Sequence, residues 1–198
     1  MPTYRSPPGF EHGSPDNIGV LVVNLGTPAA PTPAAVRRFL RQFLSDPRVV
    51  EYPRLLWWLI LNLVILVIRP SRSAAAYREI WTDKGSPLLL HSRDIVDGLR
   101  RRLGGTRDVQ VELAMTYGEP DVGSAIDKLL AGGATRILVL PLYPQYSGTT
   151  TAAVFDAVTA AVARQRWLPE LRFVNCYHDD PAYIRALAAS VRDSWAEH

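Results

Sequence analysis

The sequence predicts an α/β fold: a parallel sheet, doubly wound by helices on its two faces, with a hydrophobic helical insertion after the first strand. Three observations predict it. Short runs rich in Val, Leu and Ile alternate four times with stretches of helical period. The first of these runs, Ile18 to Gly26, is a short continuous apolar run, as a strand buried on both faces is. The segment from Glu51 to Leu103 breaks the alternation and is too long for a simple crossover.

The opening "MPTYRSPPGFEHGSPDN", residues 1–17, is rich in Pro, Gly and Ser without periodicity, so disorder is expected there, and it lacks the apolar core of a signal peptide. "IGVLVVNLG", Ile18 to Gly26, reads as the first strand. Val36, Phe39, Leu40, Phe43 and Leu44 then recur at helical spacing, with Thr32 placed to cap and Pro33 at the first helical position. Later units repeat the alternation: strand "VQVELAMTYG" and helix "DVGSAIDKLLAGG", strand "TRILVLPLYP" and helix "TTAAVFDAVTAAVARQ", strand "LRFVNCYH" and helix "PAYIRALAASVRDSWAEH". Repeats of this Rossmann-type βα kind place ligand crevices outside the carboxyl ends of the strands, where the insertion begins.

The insertion contains "LLWWLILNLVILVIRPSR". Its fourteen residues from Leu55 to Ile68 hold one polar side chain, Asn62. As a helix they span about 21 Å, less than the ~20 residues a bilayer needs. Two readings remain, a buried core helix or the apolar lip of a binding site, since large exposed apolar patches mark ligand grooves or membrane contacts.

Composition narrows the function classes. The 198 residues are 47% hydrophobic and 21% charged, ordinary usage for a chain with a buried core, and the net charge of +3 calls for no nucleic acid. Of 22 basic residues only Lys84 and Lys128 are lysines, and seven arginines stand between Val36 and Arg72 against Asp46 and Glu51. Arginine forks suit carboxylates and phosphates, so an anionic small ligand competes with solvated helix faces as their explanation. The single cysteine, Cys176, builds neither a disulfide framework nor a Cys-type zinc site, which fits a reducing cytosol.

Motifs add three candidates. "NLGTP", Asn24 to Pro28, ends a strand, but neither dinucleotide nor P-loop fingerprint is present, which disfavours a nucleotide-binding module. "PLYPQYSGTTT", Pro141 to Thr151, brings aromatic faces and hydroxyls to a strand's carboxyl end; it reads equally as a helix cap with two core tyrosines. "CYHDDPAYI" gathers Cys176, His178, Asp179 and Asp180, where a helix cap before Pro181 is the simpler reading than a metal site. No Ser/His/Asp or Cys/His set is visible.

Taken in order, "GVLVVNLGTPAAPTPAAVRRFLRQFLSDPRVVEYPRLLWW", "AYREIWTDKGSPLLLHS", "MTYGEPDVGSAIDKLL" and "VLPLYPQYSGTTT" resemble the ferrochelatases, closest to the bacterial protoporphyrin type, over Ile18 to His198. The resemblance implies a chelatase-like fold and insertion of Fe(II) into protoporphyrin IX in haem biosynthesis. It implies that Leu55 to Ile68, with Trp57 and Trp58, forms a porphyrin lip, and that Arg69 stands at the edge where propionates are held. Tyr77 and Ser86 would lie along the cleft, and Leu25, Tyr143 and Thr149 would line the pocket. Thr116 stands where some members carry an arginine, and Gly148 where some carry a cysteine ligand of an iron–sulfur cluster, so no cluster is expected. Fe(II) is then a substrate and no cofactor is permanently bound.

The family's essential histidine and glutamate lie in segments outside these residues, so no catalytic residue and no metal ligand is assigned, and an inactive fragment is expected. A porphyrin-binding protein without chelatase activity is the alternative. The implied organisation is a first domain over 18–165 with the insertion at 51–103, and the start of a second over 166–198. A cytoplasmic monomer touching a membrane peripherally completes the expectation.

Overall fold

The computed structural model describes residues 4–6, 16–104 and 109–197. Strands β1 (Asn17–Asn24), β2 (Val109–Met115), β3 (Ala134–Pro141) and β4 (Glu170–Phe173) form one parallel sheet in the order β2-β1-β3-β4. The order is that of a doubly wound sheet, as predicted: the chain runs from β1 to one side, then crosses back past β1 to β3 and β4.

Seven helices are described: α1 (Pro33–Ser45), α2 (Arg54–Ile60), α3 (Leu66–Ile80), α4 (Pro87–Leu103), α5 (Val122–Ala131), α6 (Ala153–Val162) and α7 (Pro181–Glu197). Alternation along β1 sorts them into layers. Leu21 and Val23 face the core built with α5 and α6, through Ile126, Leu129, Val154 and Val158. Val20 and Val22 point the other way, to Val96 of α4 and to Val111 and Leu113 of β2. A third cluster joins Val36, Phe39 and Leu40 of α1 to Leu61, Leu66 and Ala74.

The caps are those the side-chain chemistry dictates. The Thr32 hydroxyl accepts from the Ala35 amide at 3.4 Å, and Asp121 from the Ser124 amide at 3.1 Å. Asp180 accepts from the Ala182 and Tyr183 amides at 2.7 and 3.2 Å, so it caps α7. Gly26 has φ of +108°, and a Cβ there would run into the Tyr117 carbonyl. Glycine is thus required for the loop after β1 to lie against the loop after β2.

Several boundaries differ from expectation. Residues 51–103 are not one insertion, because α4 packs on β1 and β2 and serves as their crossover. The excursion proper is Arg54–Ile80, where α2, a π turn at Leu61–Ile65 and α3 form one continuous helical run. Its side facing α1 carries Leu61, Leu66, Pro70 and Ala74. The step of five between Leu61 and Leu66, against four afterwards, is the extra residue that a π turn inserts.

This run is long and apolar enough to cross a membrane by length and composition. Charge from Arg69 onward confines its apolar part to Leu55–Ile68, as the sequence shows. β4 stops at Phe173 rather than continuing to His178, because the Tyr177 amide bonds the Pro144 carbonyl instead of following β3. In the opening segment, Arg5 is ordered against expectation. Its backbone pairs with Arg164 and Arg166, and its guanidinium lies 3.2 Å from Asp127. Residues 1–3 and 7–15 of that segment lie outside the described residues.

Candidate functional site: a cleft at the sheet's switch point

The loops that follow β1 and β3 leave the sheet at its switch point, where α/β folds bind ligands. Leu25 comes from the first loop and Tyr143 from the second. The Leu142 amide donates to the Val23 carbonyl at 2.7 Å, and the Tyr117 amide donates to the Leu25 carbonyl at 2.9 Å, so three strand ends are tied together. Leu25, Phe43, Trp57 and Tyr77 pack against the buried cluster that joins α1, the helical excursion and Tyr117.

Tyr143 is half-buried, and its hydroxyl has no hydrogen-bond partner among the described residues. Burial holds its phenol well above the ordinary range, and the nearby Thr116 hydroxyl opposes this only in part. That hydroxyl is itself committed to the Asn24 carbonyl at 3.2 Å. Tyr117 is raised in the same sense, first by burial and then by Asp46, which accepts its hydroxyl hydrogen at 2.7 Å. Both phenols are therefore neutral walls and hydrogen-bond donors at neutral pH, not bases.

Two clefts lie at these loops: one of about 830 Å³, bordered by Thr27, Pro28 and Gly118 from the loops after β1 and β2, and one of about 580 Å³, bordered by Tyr143 from the loop after β3. The smaller is walled by Tyr143, Ser147 and Thr150 and, opposite, by His178, Ile184 and Leu187. Thr149 sits exposed at its rim, its hydroxyl 2.9 Å from that of Ser147. Sequence reasoning set His178 aside; the fold brings it to this wall.

The larger cleft holds Ser86, which is buried and accepts from the Thr27 hydroxyl at 2.9 Å. Arg38, Lys84, Arg93 and Lys128 line it against one carboxylate, Glu119. These four cations were missed, although the two lysines of the chain both fall here and their rarity was a usable signal.

The helical excursion separates its two adjacent tryptophans. Trp57 turns inward, donating its indole N–H to the Leu44 carbonyl at 2.7 Å, whereas Trp58 is 58% exposed. Leu55, Leu63, Val67 and Ile68 extend the exposed apolar face to Arg69. Arg69 is exposed and makes no ion pair among the described residues. Tyr77 is half-buried, its phenol raised by burial, with its ring edge-on to Trp81 at 6.2 Å. Trp81 also lines the larger cleft, so the excursion leads directly into it.

A doubly wound parallel sheet with clefts at the carboxyl ends of its strands defines an α/β protein of the ligand-binding kind. The sequence model of the ferrochelatase family matches residues 17–198, and the chain belongs to that family. It is 52% identical over 197 residues to the ferrochelatase of Idiomarina loihiensis, covering 98% of this chain and 54% of the relative. To the ferrochelatase of Thioalkalivibrio sulfidiphilus it is 56% identical over 191 residues, covering 96% and 52%. To that of Aromatoleum aromaticum it is 52% identical over 200 residues, covering 100% and 55%. The chain spans about half the length of the curated relatives it matches.

Proposed function

We propose that this chain is the porphyrin-holding half of a ferrochelatase, which inserts Fe(II) into protoporphyrin IX to give protohaem and two protons. The observation that carries the reading is the exposed apolar face of Leu55–Ile68, ending at Arg69, which makes no ion pair among the described residues. A porphyrin is an apolar disc with two carboxylates at one rim, and it asks for such a wall beside cations.

In this reading Trp58 covers the disc and Leu25 and Tyr143 line its inner edge. Arg69 receives a carboxylate, Tyr77 and Ser86 lie along the path to the basic cleft, and Thr149 borders the opposite rim. Trp57 acts by holding the lip to α1. Fe(II) is a substrate. Cys176 is a single thiol, so these residues by themselves cannot supply the four thiolates of an iron–sulfur cluster. The neutral tyrosines orient the ring, and removal of the pyrrole protons falls to groups outside the site described. For these residues by themselves the proposed activity is binding.

The same apolar face rests peripherally on a bilayer, from which a poorly soluble porphyrin enters, and the protein is a cytoplasmic monomer without nucleic-acid partners. Titration of the 198-residue chain with protoporphyrin, followed by tryptophan quenching and porphyrin absorbance, tests the proposal. Saturable binding that weakens in Arg69→Ala supports it. A folded chain that shows none sinks the claim that this half binds alone.

A further inference from the structure

A helix leaves its last four carbonyls without intrahelical partners, and at the end of α1 two of them are taken by side chains of the lip. The Trp57 indole donates to the Leu44 carbonyl at 2.7 Å, and the Arg54 guanidinium donates to the Ser45 carbonyl at 2.6 Å. Both side chains belong to α2, which has no buried residue, so these bonds and the packing of Trp57 fasten it to the body. The next residue, Asp46, engages both of its oxygens. Oδ1 accepts from the Arg48 amide and Oδ2 from the Tyr117 hydroxyl, each at 2.7 Å. The turn so formed aims the Arg48 guanidinium at α6, where Nε and Nη2 donate to the two oxygens of Asp156 at 2.7 and 3.1 Å.

Asp156 stands in the first turn of α6, directly after the π turn Gly148–Ala152 that ends the loop carrying Tyr143 and Thr149. Asp156 raises the Arg48 guanidinium by hydrogen bond and by charge, and Tyr146 of the same loop is close enough to add to this. Helices α1 and α6 bury their apolar faces in different clusters, so shared core packing does not set their spacing. An ion pair as exposed as this one, 44% and 46%, adds little to stability. Its two parallel bonds instead fix direction as well as distance. We infer that Arg48 is a positioning residue: by clamping the end of α1 to α6, it sets where the lip stands relative to the loop that carries Tyr143. The effect on a ring touching both Trp58 and Tyr143 rests on the proposed porphyrin binding, whereas the placement of the lip does not.

The test is Arg48→Ala in the 198-residue chain, read first without porphyrin. The indole N–H resonance of Trp57, identified by its loss in Trp57→Phe, reports on the lip's anchor. Expected is solvent exchange of that proton faster by roughly fivefold or more, at an unchanged urea midpoint. Protoporphyrin affinity should fall by about two- to fivefold in the same variant. Asp156→Asn, a change made in α6 and not in the lip, should produce both effects. Exchanging the charges, Arg48→Asp with Asp156→Arg, should recover part of each. Unchanged Trp57 exchange in a folded Arg48→Ala chain would overturn the inference, even if affinity fell. So would a drop in urea midpoint large enough to account for both effects, since the pair would then only stabilise the fold. Faster Trp57 exchange in Arg48→Ala, with a parent chain that binds no porphyrin, would sustain the clamp and sink the binding reading alone.

Discussion

β1 and the helical excursion each carry an unbroken apolar run, yet Val20, Leu21, Val22 and Val23 are at most 6% exposed while Leu55, Trp58, Leu63 and Val67 are 58–77% exposed. The difference is one of neighbours, not of hydrophobicity. A central strand has two pleated faces and a helical layer for each, so both alternating sets of side chains are covered. The excursion packs against α1 and its neighbours through Leu61, Leu66 and Ala74, while Leu55, Trp58, Leu63 and Val67 stay exposed among the described residues. A large exposed apolar patch marks an interaction site, and the proposed function puts the porphyrin there.

The same substitution in the two runs gives the sharpest contrast. Leu21→Ala should destabilise the chain by about 2–5 kcal/mol, and Leu63→Ala by less than about 0.5 kcal/mol, read as shifts in urea midpoint at constant slope. Equal losses would mean that the excursion is covered after all. Within the excursion the two tryptophans should part company. Trp57→Ala removes packing and strands the Leu44 carbonyl, costing about 2–3 kcal/mol. Trp58→Asp should leave stability nearly unchanged and lower protoporphyrin affinity, measured by absorbance titration. A stable Trp57→Ala would show that the lip is not anchored through that indole.

Tyr143→Phe probes the boundary between the regions. Deleting a buried hydroxyl without a partner should stabilise the fold by about 1 kcal/mol, while weakening porphyrin binding if that hydroxyl meets the ring. The raised phenols of Tyr117 and Tyr143 also give the stability a pH dependence. Below the ordinary phenol range, near 10, both states keep their protons and the fold has its full stability. Above it the unfolded chain ionises first, so stability falls as pH rises. Tyr143→Phe should flatten that alkaline fall, and an unaltered slope would place the effect elsewhere. The smallest effect expected on binding is that of Arg69→Ala, about two- to fivefold in protoporphyrin affinity for an exposed charge pair. It should shrink as salt is added.

Legibility in the sequence followed how local each signal was. Thr32, Asp121 and Asp180 cap as their positions imply, because an N-cap bond closes within three residues. β1 and β3 were readable from consecutive apolar residues, and β2 and β4 from their places in the strand–helix alternation. The end of β4 was not, because the Tyr177–Pro144 bond that draws the chain away joins residues from different loops. Trp57 and Trp58 are indistinguishable in sequence, and only the position of the Leu44 carbonyl separates them. Leu25 and Tyr143 were named through resemblance alone; that they follow neighbouring strands β1 and β3 depends on the crossover past β1. Arg38, Lys84, Arg93 and Lys128 went unnoticed as a group because they come from three helices and a turn.

Sequence alone determined the class of the fold, the order of its elements, the family and the existence of an apolar segment too rich to ignore. Those follow from periodicity, turn chemistry and caps, whose energies are set within a few residues. Tertiary structure decided which apolar residues are covered, which tryptophan anchors and which faces outward, and that both lysines share one cleft. Burial is a relation between surfaces distant in the chain, so it exists only once the sheet order and the layers have brought them together or kept them apart.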